Sequence, residues 1–92
     1  MIKMNKYFEG KIKSLGFEFE GTPHTTGVML PGEYSIDTEK EEHITVTLGG
    51  FEIRPPGSDW KKAKIGDTFV IPANATFDLK VSEPASYICM YR

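Results

Sequence analysis

Short alternations of apolar and polar residues run along most of the chain, and each ends at a turn. Ile44, Val46 and Leu48 fall on one face of residues 43–48, and residues 77–81 alternate in the same way. A repeat of two residues is the period of a half-buried β-strand. No window of eleven or more residues shows the 3.6-residue period of an amphipathic helix. The pattern therefore predicts an all-β fold built from many short strands.

Further strands are indicated by apolar and β-branched runs that stop at turn residues. They are predicted at residues 10–19, 27–30, 33–36, 51–54, 68–71 and 86–91. In the first of these runs Ile12 and Leu15 have opposite parity, which predicts a β-bulge at Ser14 to Gly16. The segment around His24 is rich in Gly, Thr and Pro and is predicted to be a loop. Many short strands with regular turns and no long helix predict a closed or nearly closed β-barrel.

The length and charge of the chain narrow the classes of protein to consider. Its 92 residues predict a single domain, residues 1–92. The formal net charge is −2 with acids and bases interspersed, whereas a nucleic-acid-binding surface needs clustered basic residues. The one cysteine, Cys89, cannot form a disulfide within the chain, which fits a reducing cytosol. Since residues 1–6 also lack the apolar run of a signal peptide or membrane span, we expect a cytoplasmic protein without nucleic-acid or membrane partners.

Residues 66–77 carry the most informative local spacing in the chain. Gly66 is followed, after five residues, by Pro72, which resembles the second motif of the cupins, a class of small jelly-roll barrels. Metal-binding cupins continue this motif with a Gly and then a His ligand. This chain has Asn74 and Phe77 at those positions. Phe77 is therefore expected to point into the barrel lumen in place of a metal ligand.

The first cupin motif is represented only by its second half. Glu42 is followed after six residues by Gly49, as the motif requires. The His-x-His pair that should precede Glu42 is missing, because residues 35–38 are Ser-Ile-Asp-Thr. Three of the four metal ligands of a cupin are therefore absent from the sequence. We expect no bound transition metal and no other cofactor.

Several short signatures follow one another along the whole chain. They are Asn5-x-Tyr7-Phe8-x-Gly10-Lys11, Lys13-Ser14-x-Gly16-Phe17, Gly27-Val28-Met29, Gly32-Glu33-Tyr34, Glu42 with Thr45-Val46, Asp59-Trp60, and Glu83-Pro84-x-Ser86-Tyr87-x-Cys89-x-Tyr91. In this order and spacing they resemble one family of small cupins, the pyrimidine/purine nucleoside phosphorylases. The resemblance implies a cupin barrel that uses inorganic phosphate to cleave purine and pyrimidine nucleosides into free base and pentose 1-phosphate. His43 departs from the family pattern, which often carries a second acidic residue beside Glu42.

Such a reaction needs a group that stabilises the positive charge developing on the pentose. Glu42 is the first catalytic candidate, because its motif position faces inward and a buried carboxylate needs partners. Its alternative role is that of a structural hydrogen-bond acceptor. Glu33 is the second catalytic candidate, because it belongs to one of the family signatures. Its alternative is a solvent-facing position on a strand.

The co-substrate phosphate calls for cationic or hydroxyl donors, and the base and sugar suit aromatic rings. Arg54, at the end of a predicted strand, is the candidate for phosphate, with an exposed surface arginine as its alternative. Phe77, Tyr34, Tyr87 and Tyr91 are the candidates for stacking on the nucleoside in the barrel lumen. Simple core packing is the alternative for these rings.

Two functions stay open on the residues alone. The signatures favour a metal-independent nucleoside phosphorylase, and the alternative is a non-catalytic cupin whose cavity binds a metabolite. A core of this size is marginal, so burial at a subunit interface would add to it. Because apolar edge residues such as Tyr7 and Phe8 invite strand pairing, we expect a homodimer in which the short N-terminal segment crosses over.

Overall fold

The computed structural model describes all 92 residues, and nearly all of its regular structure is β-strand. The strands are β1 (Lys3–Tyr7), β2 (Ile12–Phe19), β3 (Thr22–Met29), β4 (Gly32–Asp37), β5 (Glu42–Leu48), β6 (Gly50–Arg54), β7 (Lys61–Lys64), β8 (Thr68–Ile71), β9 (Thr76–Val81) and β10 (Ala85–Tyr91). One short 3-10 turn covers Phe8–Gly10. The chain contains no helix with the length and hydropathy of a membrane span. The all-β prediction is confirmed.

The strands form two antiparallel sheets that pack face to face. The larger sheet has the order β1-β2-β3-β10-β5-β8, and the smaller one has the order β4-β9-β6-β7. The last strand of the chain, β10, lies between β3 and β5 in the centre of the larger sheet. The hydrogen-bonded ladders of the two sheets do not join into one continuous ring. The result is a flattened jelly roll whose inner faces enclose the core.

The core lies between the two sheets and follows the predicted alternation. On β9, Phe77, Leu79 and Val81 are buried, whereas the side chain of Lys80 between them is exposed. Fully burying one such apolar side chain contributes about 1.5–3 kcal/mol. Ile53, from the smaller sheet, is completely buried. The period of two residues thus sets which side chains of each strand reach the interior.

The turn predicted at the end of β8 is present. The strand stops at Ile71, directly before Pro72, which has no N–H to continue the ladder. Asn74 has a φ of 56°, in the left-handed region that Asn tolerates better than most residues. This turn returns the chain into β9 and places Phe77 on the inner face.

The predicted bulge at Ser14 to Gly16 is wrong. The pairing of β2 with β3 is unbroken from Ile12 to Phe19. Ser14 is a buried polar residue on the inner face, and Leu15 is an exposed apolar residue on the outer face. The apparent change of parity therefore comes from a sheet whose outer face is itself apolar.

The loop predicted around His24 is also wrong, because these residues belong to β3. This strand is hydrogen-bonded to β2 on one side and to β10 on the other. The His24 ring stacks on Phe17, with the ring centroids 5.8 Å apart. Pairing on both edges outweighs the turn propensity of Gly, Pro and Thr in this segment.

Candidate active site

The two sheets enclose a partly open cavity of about 580 Å³. This volume lies within the range of small-molecule binding sites in proteins. Apolar side chains form most of the wall, and polar groups form the smaller part. The polar and phenolic residues that line the cavity are Tyr7, Ser14, Ser35, Asp37, Glu39, Lys40, Glu42, Tyr87 and Tyr91.

Glu42 lies on the cavity wall at the beginning of β5. Its backbone is opposite Tyr91 on β10 and Ile71 on β8, so its side chain shares their inner face. The thiol of Cys89 donates a hydrogen bond to Glu42 Oε1 at a sulfur–oxygen distance of 3.7 Å. Burial raises the pKa of the Glu42 carboxyl, and the thiol hydrogen bond opposes this shift in part. Because a thiol is a weak donor, the carboxylate keeps most of its acceptor capacity for a ligand.

Cys89 supports Glu42 and is poorly suited to act as a nucleophile. It is almost completely buried. Burial, together with the nearby charge of Glu42, raises the pKa of its thiol to about 12. The thiolate is the nucleophilic form of cysteine. At neutral pH the residue is therefore a protonated hydrogen-bond donor.

Tyr87 and Tyr91 line the same wall, four residues apart on β10. At about 3.3 Å per residue their positions are separated by roughly 13 Å along the strand. The Tyr91 hydroxyl lies 3.0 Å from Thr25 Oγ1. Burial raises the pKa of both phenols, that of Tyr87 to about 12. Both hydroxyls are therefore neutral at physiological pH and can donate as well as accept.

Gly27 determines where the Tyr87 ring lies. A Cβ atom at Gly27 would be 2.5 Å from the Tyr87 hydroxyl oxygen and 2.6 Å from Cζ. These distances are far below van der Waals contact, so only glycine accommodates the ring over β3 in this position. The close approach places the phenol directly over the neighbouring strand.

The segment between β4 and β5 forms part of the cavity rim and is held at both ends. Thr38 Oγ1 donates to the Pro72 carbonyl at 2.7 Å and accepts from the Ala75 amide at 3.0 Å. The Arg92 amide donates to the Glu41 carbonyl at 2.9 Å. Between these anchors lies Lys40, the one lysine or arginine that lines the cavity.

The rim is acidic despite this lysine. Asp37, Glu39 and Glu42 all line the cavity with Lys40. Asp37 accepts a hydrogen bond from Thr76 Oγ1 at 2.7 Å. The entrance therefore favours groups that carry positive charge or hydroxyl donors, and it offers an anion one cationic contact.

Four of the predicted site residues lie together on the cavity. They are Glu42, Phe77, Tyr87 and Tyr91. Phe77 is almost fully buried and points inward at the position where metal-binding cupins carry a ligand. The roles of these residues remain predictions.

Arg54 and Glu33, the candidates for phosphate binding and for a second catalytic group, do not line this cavity, and the alternative of an exposed position holds for both. Arg54 lies on the outer face of the smaller sheet, where its Nε donates to Asp78 Oδ2 at 2.9 Å. Its guanidinium also lies 4.9 Å from the centre of the Trp60 ring. Glu33 is exposed on the same sheet because the next residue, Tyr34, faces inward. Because side chains on β4 and β6 alternate between the inner and the outer face, both of these side chains point to solvent.

Tyr34 is buried but does not reach the cavity either. Its hydroxyl donates to the Leu30 carbonyl at 2.6 Å, and its ring centroid is 4.9 Å from that of Phe8. Phe8 itself lines the cavity. Tyr34 is therefore a packing residue behind the wall.

Comparison with known proteins agrees with this architecture. A family profile described as "Pyrimidine/purine nucleoside phosphorylase" matches residues 2–91. A curated protein of the same name from Hahella chejuensis is 45% identical over 92 residues. The match covers 99% of this chain and 99% of that protein. This chain belongs to the pyrimidine/purine nucleoside phosphorylase family. The resemblance identified from the sequence signatures is confirmed.

Solved structures confirm the cupin fold of this family member. A Vibrio parahaemolyticus protein of unknown function is 40% identical, with a TM-score of 0.96 over 100% of this chain and 99% of that one. A cupin-2 domain protein from Rhodospirillum rubrum is 15% identical, with a TM-score of 0.76 over 97% of this chain and 68% of that one. The second likeness shows the fold alone.

This phosphorylase-family chain lacks a cluster of metal-ligating side chains, and His43 does not line its cavity. No group of three or more His, Cys, Asp or Glu side chains is arranged to hold a metal ion. The Nε2 atom of His43 lies 3.0 Å from Glu41 Oε2. It points away from the cavity, because its neighbour Glu42 points inward. His43 is therefore not part of the cavity wall.

The sequence did not reveal every residue on the wall of the cavity. Lys40 lies in an irregular segment without periodicity, and its position two residues before Glu42 was the only available signal. Tyr7 and Ser14 both belong to family signatures, which could have flagged them. Ser14 Oγ also accepts a hydrogen bond from Asn5 Nδ2 at 3.3 Å. The cavity therefore has a second polar region, near β1 and β2, away from Glu42.

Proposed function

We propose that the cavity catalyses the phosphorolysis of purine and pyrimidine nucleosides. A phosphate oxygen forms a bond to the anomeric carbon of the pentose while the bond from that carbon to the base nitrogen breaks. The electron pair of the broken bond stays with the base, which takes up a proton, and the attacking phosphate gives up one. The products are the free base and pentose 1-phosphate. The observation that carries this proposal is a half-buried carboxylate, Glu42, on the wall of a cavity large enough for a nucleoside.

Glu42 acts in its ionised form on the pentose. The transition state of glycosidic cleavage has oxocarbenium character, with positive charge shared between the anomeric carbon and the ring oxygen. A carboxylate in a partly buried site stabilises that charge more strongly than one in water. It can also accept a hydrogen bond from a pentose hydroxyl. Its one protein donor, the Cys89 thiol, is weak and leaves room for either contact.

Phosphate enters beside Lys40 at the rim. The lysine supplies the cationic contact, and phenolic or serine hydroxyls of the wall can add neutral donors. The neighbouring carboxylates oppose the negative charge of phosphate, so we expect weak phosphate binding. This arrangement differs from the prediction that Arg54 binds phosphate, since Arg54 is engaged with Asp78 on the opposite side of the sheet.

The base and the sugar lie against the aromatic wall. Phe77, Tyr87 and Tyr91 offer ring surfaces from both sheets. Stacking on aromatic rings tolerates either class of base, because every base has a π-face. This wall suits an enzyme that accepts purine and pyrimidine nucleosides alike.

The proposed reaction uses no metal and no organic cofactor. Phosphate is the nucleophile, and Glu42 supplies the electrostatic stabilisation. Activity should therefore survive dialysis against a chelator, with the metal content of the dialysed protein measured in parallel. Loss of activity that is restored by one particular metal ion would contradict this part of the proposal.

The decisive assay measures free base released from several nucleosides with and without inorganic phosphate. We expect release that depends on phosphate, with equimolar pentose 1-phosphate. Release without phosphate would indicate hydrolysis, and no release from any nucleoside would refute the proposal. A mock purification from the same host without this chain, run beside the parent protein, excludes a contaminating phosphorylase.

A second candidate function is the non-catalytic binding of a cationic metabolite. The charge of the lining favours it, because Asp37, Glu39 and Glu42 outnumber Lys40 among the residues that line the cavity. Calorimetric titration with small cationic metabolites distinguishes the two functions. Binding at micromolar concentration without any release of base from nucleosides would select the binding module.

A further inference from the structure

The polar groups on the cavity wall fall into two regions of different character. All the charged side chains of the wall lie within residues 37–42, at the end of β4, at the start of β5 and in the segment between them. The part of the wall formed by β2 and the middle of β10 carries no charge, and its polar groups are the hydroxyls of Ser14 and Tyr87. The first region suits ions and pentose hydroxyls, and the second suits uncharged polar groups.

Ser14 is a buried polar residue with hydrogen-bonding capacity left. It is only 3% exposed, on the inner face of β2. Its Oγ accepts from Asn5 Nδ2 at 3.3 Å, which leaves its own proton to donate. The other buried polar residues are Thr25 and Thr38, whose hydroxyls are bonded to Tyr91 and to backbone groups. Because a buried hydroxyl costs free energy unless it is hydrogen-bonded, Ser14 is a position where a ligand gains by supplying a partner.

The sheet brings the hydroxyl of Tyr87 to Ser14. Gly27 lies between them, paired with Ser14 on one side and with Tyr87 on the other. Because Gly27 has no side chain, the Tyr87 ring crosses over it. The Ser14 side chain is close enough to oppose the rise that burial causes in the pKa of the Tyr87 phenol. We call the side-chain hydroxyls of Ser14 and Tyr87 the hydroxyl pair.

The hydroxyl pair lies within reach of a nucleoside that is bound at Glu42. The Glu42 carboxylate extends to the thiol of Cys89 on β10, and β10 is two strands away from β2 in the sheet. At about 4.8 Å per strand, the gap from there to Ser14 is roughly 10 Å. A pentose at Glu42 can therefore place its base at the hydroxyl pair, while the phosphate and pentose contacts share the charged region.

We propose that the hydroxyl pair is the base-recognition subsite of the cavity and binds the polar edge of purines and pyrimidines alike. This inference rests on the proposed phosphorolysis of nucleosides. Adenine and cytosine present an amino donor where guanine and thymine present a keto acceptor. A hydroxyl rotates to bond to either, whereas a carboxylate accepts only and a lysine donates only. The subsite therefore holds a base without selecting between amino and keto bases.

Titration of the full chain with adenine and with uracil, followed by NMR chemical shifts, tests the subsite. Both free bases should bind the parent protein. Ser14→Ala and Tyr87→Phe each remove one hydroxyl and should weaken the binding of both bases by about 3- to 10-fold. Ser58→Ala removes a hydroxyl from an exposed turn outside the cavity and should leave this binding unchanged. Ribose 1-phosphate, which has no base, should bind the parent and all three variants with the same affinity.

A parent protein that binds neither base would overturn the subsite, as would hydroxyl-pair variants that bind both bases as tightly as the parent, even if the phosphorolysis assay succeeds. An equal loss of affinity for ribose 1-phosphate would also overturn it, because the substitutions would then disturb the whole cavity. Base binding that depends on the hydroxyl pair, in a protein that releases no base from nucleosides, would instead refute phosphorolysis and support the subsite.

Circular dichroism establishes that each variant is folded. Ser14→Ala removes the acceptor of the Asn5 amide and is the variant at risk of losing structure. If it does not fold, Tyr87→Phe, which keeps the ring over Gly27, must weaken the binding of both bases for the proposal to stand.

Discussion

Glu42 and Asp78 are two carboxylates with hydrogen-bond partners on neighbouring strands, and they belong to different sheets, one on an inner face and the other on an outer face. Asp78, on the outer face of the smaller sheet, accepts from Ser35 at 2.5 Å and from Arg54 at 2.9 Å. Those hydrogen bonds lower the pKa of the Asp78 carboxyl. Glu42, on the inner face of the larger sheet, has one weak sulfur donor, and burial raises the pKa of its carboxyl.

The difference between these carboxylates separates a structural role from a binding role. Asp78 is satisfied by protein partners and by water, so it has little left to offer a ligand. Glu42 is partly removed from water and is not compensated by a strong donor. A perturbed carboxyl in a cavity is a candidate functional group for this reason.

The largest expected effect is that of removing the charge of Glu42. Glu42→Gln keeps the shape and the hydrogen-bonding capacity, and it should lower phosphorolysis by about 30- to 1000-fold, the equivalent of about 2–4 kcal/mol of transition-state stabilisation. Asp78→Asn removes the corresponding charge on the outer face and should keep the parent rate. Steady-state rates of base release measure both variants. A Glu42→Gln rate within about threefold of the parent would show that Glu42 is structural.

The second comparison removes one cation from the cavity and one from the outer face of the smaller sheet. Lys40→Gln should raise the KM for phosphate by about 3- to 10-fold, as expected for one charge-assisted contact at an exposed rim. Arg54→Gln breaks the surface pair with Asp78 and should leave that KM unchanged. Initial rates at varied phosphate and saturating nucleoside provide the test. Equal KM values for Lys40→Gln and the parent would remove Lys40 from the phosphate site.

The third comparison uses two buried tyrosines. Tyr91→Phe should reduce kcat/KM for nucleosides by about 2- to 5-fold, because it removes one neutral hydroxyl from the cavity wall. Tyr34→Phe leaves the Leu30 carbonyl without its donor and should destabilise the fold by about 1 kcal/mol with little effect on catalysis. Kinetics and urea denaturation measure the two properties separately. A Tyr34→Phe protein that loses activity, together with a Tyr91→Phe protein that loses only stability, would mean that Tyr34 and not Tyr91 lines the cavity.

The smallest expected effects concern stability. The ionised form of Glu42 is disfavoured in the fold, so Glu42→Gln should raise Tm at neutral pH, and its advantage should vanish once the pH falls below the unfolded pKa of Glu42. Asp78 has a lowered pKa, so its contribution is present above the unfolded pKa and is lost as the pH falls through the folded one. Asp78→Asn should therefore lower Tm slightly at neutral pH. Thermal melts at neutral and acid pH measure these shifts. A change of Tm in the same direction for both variants at neutral pH would contradict the account.

The strands and the inward position of Glu42 could be predicted from the sequence, because both follow from local alternation and from motif spacing. The outward position of Glu33 and Arg54 could not, since it depends on which face of the smaller sheet meets the larger one. A single bulge reverses such assignments, and the irregularity in the pairing of β10 with β5 lies at Ser86 and Tyr87 rather than in β2. Lys40 escaped prediction because its position is fixed by the hydrogen bonds of Thr38 to a distant turn.

The pH dependence of kcat/KM, compared between the parent protein and Glu42→Gln, tests the central claim most directly. If ionised Glu42 stabilises the pentose cation, the parent activity falls on the acid side with an apparent pKa above that of an ordinary glutamate. In Glu42→Gln this acid limb disappears, while the limb caused by phosphate ionisation stays in both proteins. A parent activity that instead rises as Glu42 takes up its proton, or an acid limb that persists unchanged in Glu42→Gln, would contradict the account.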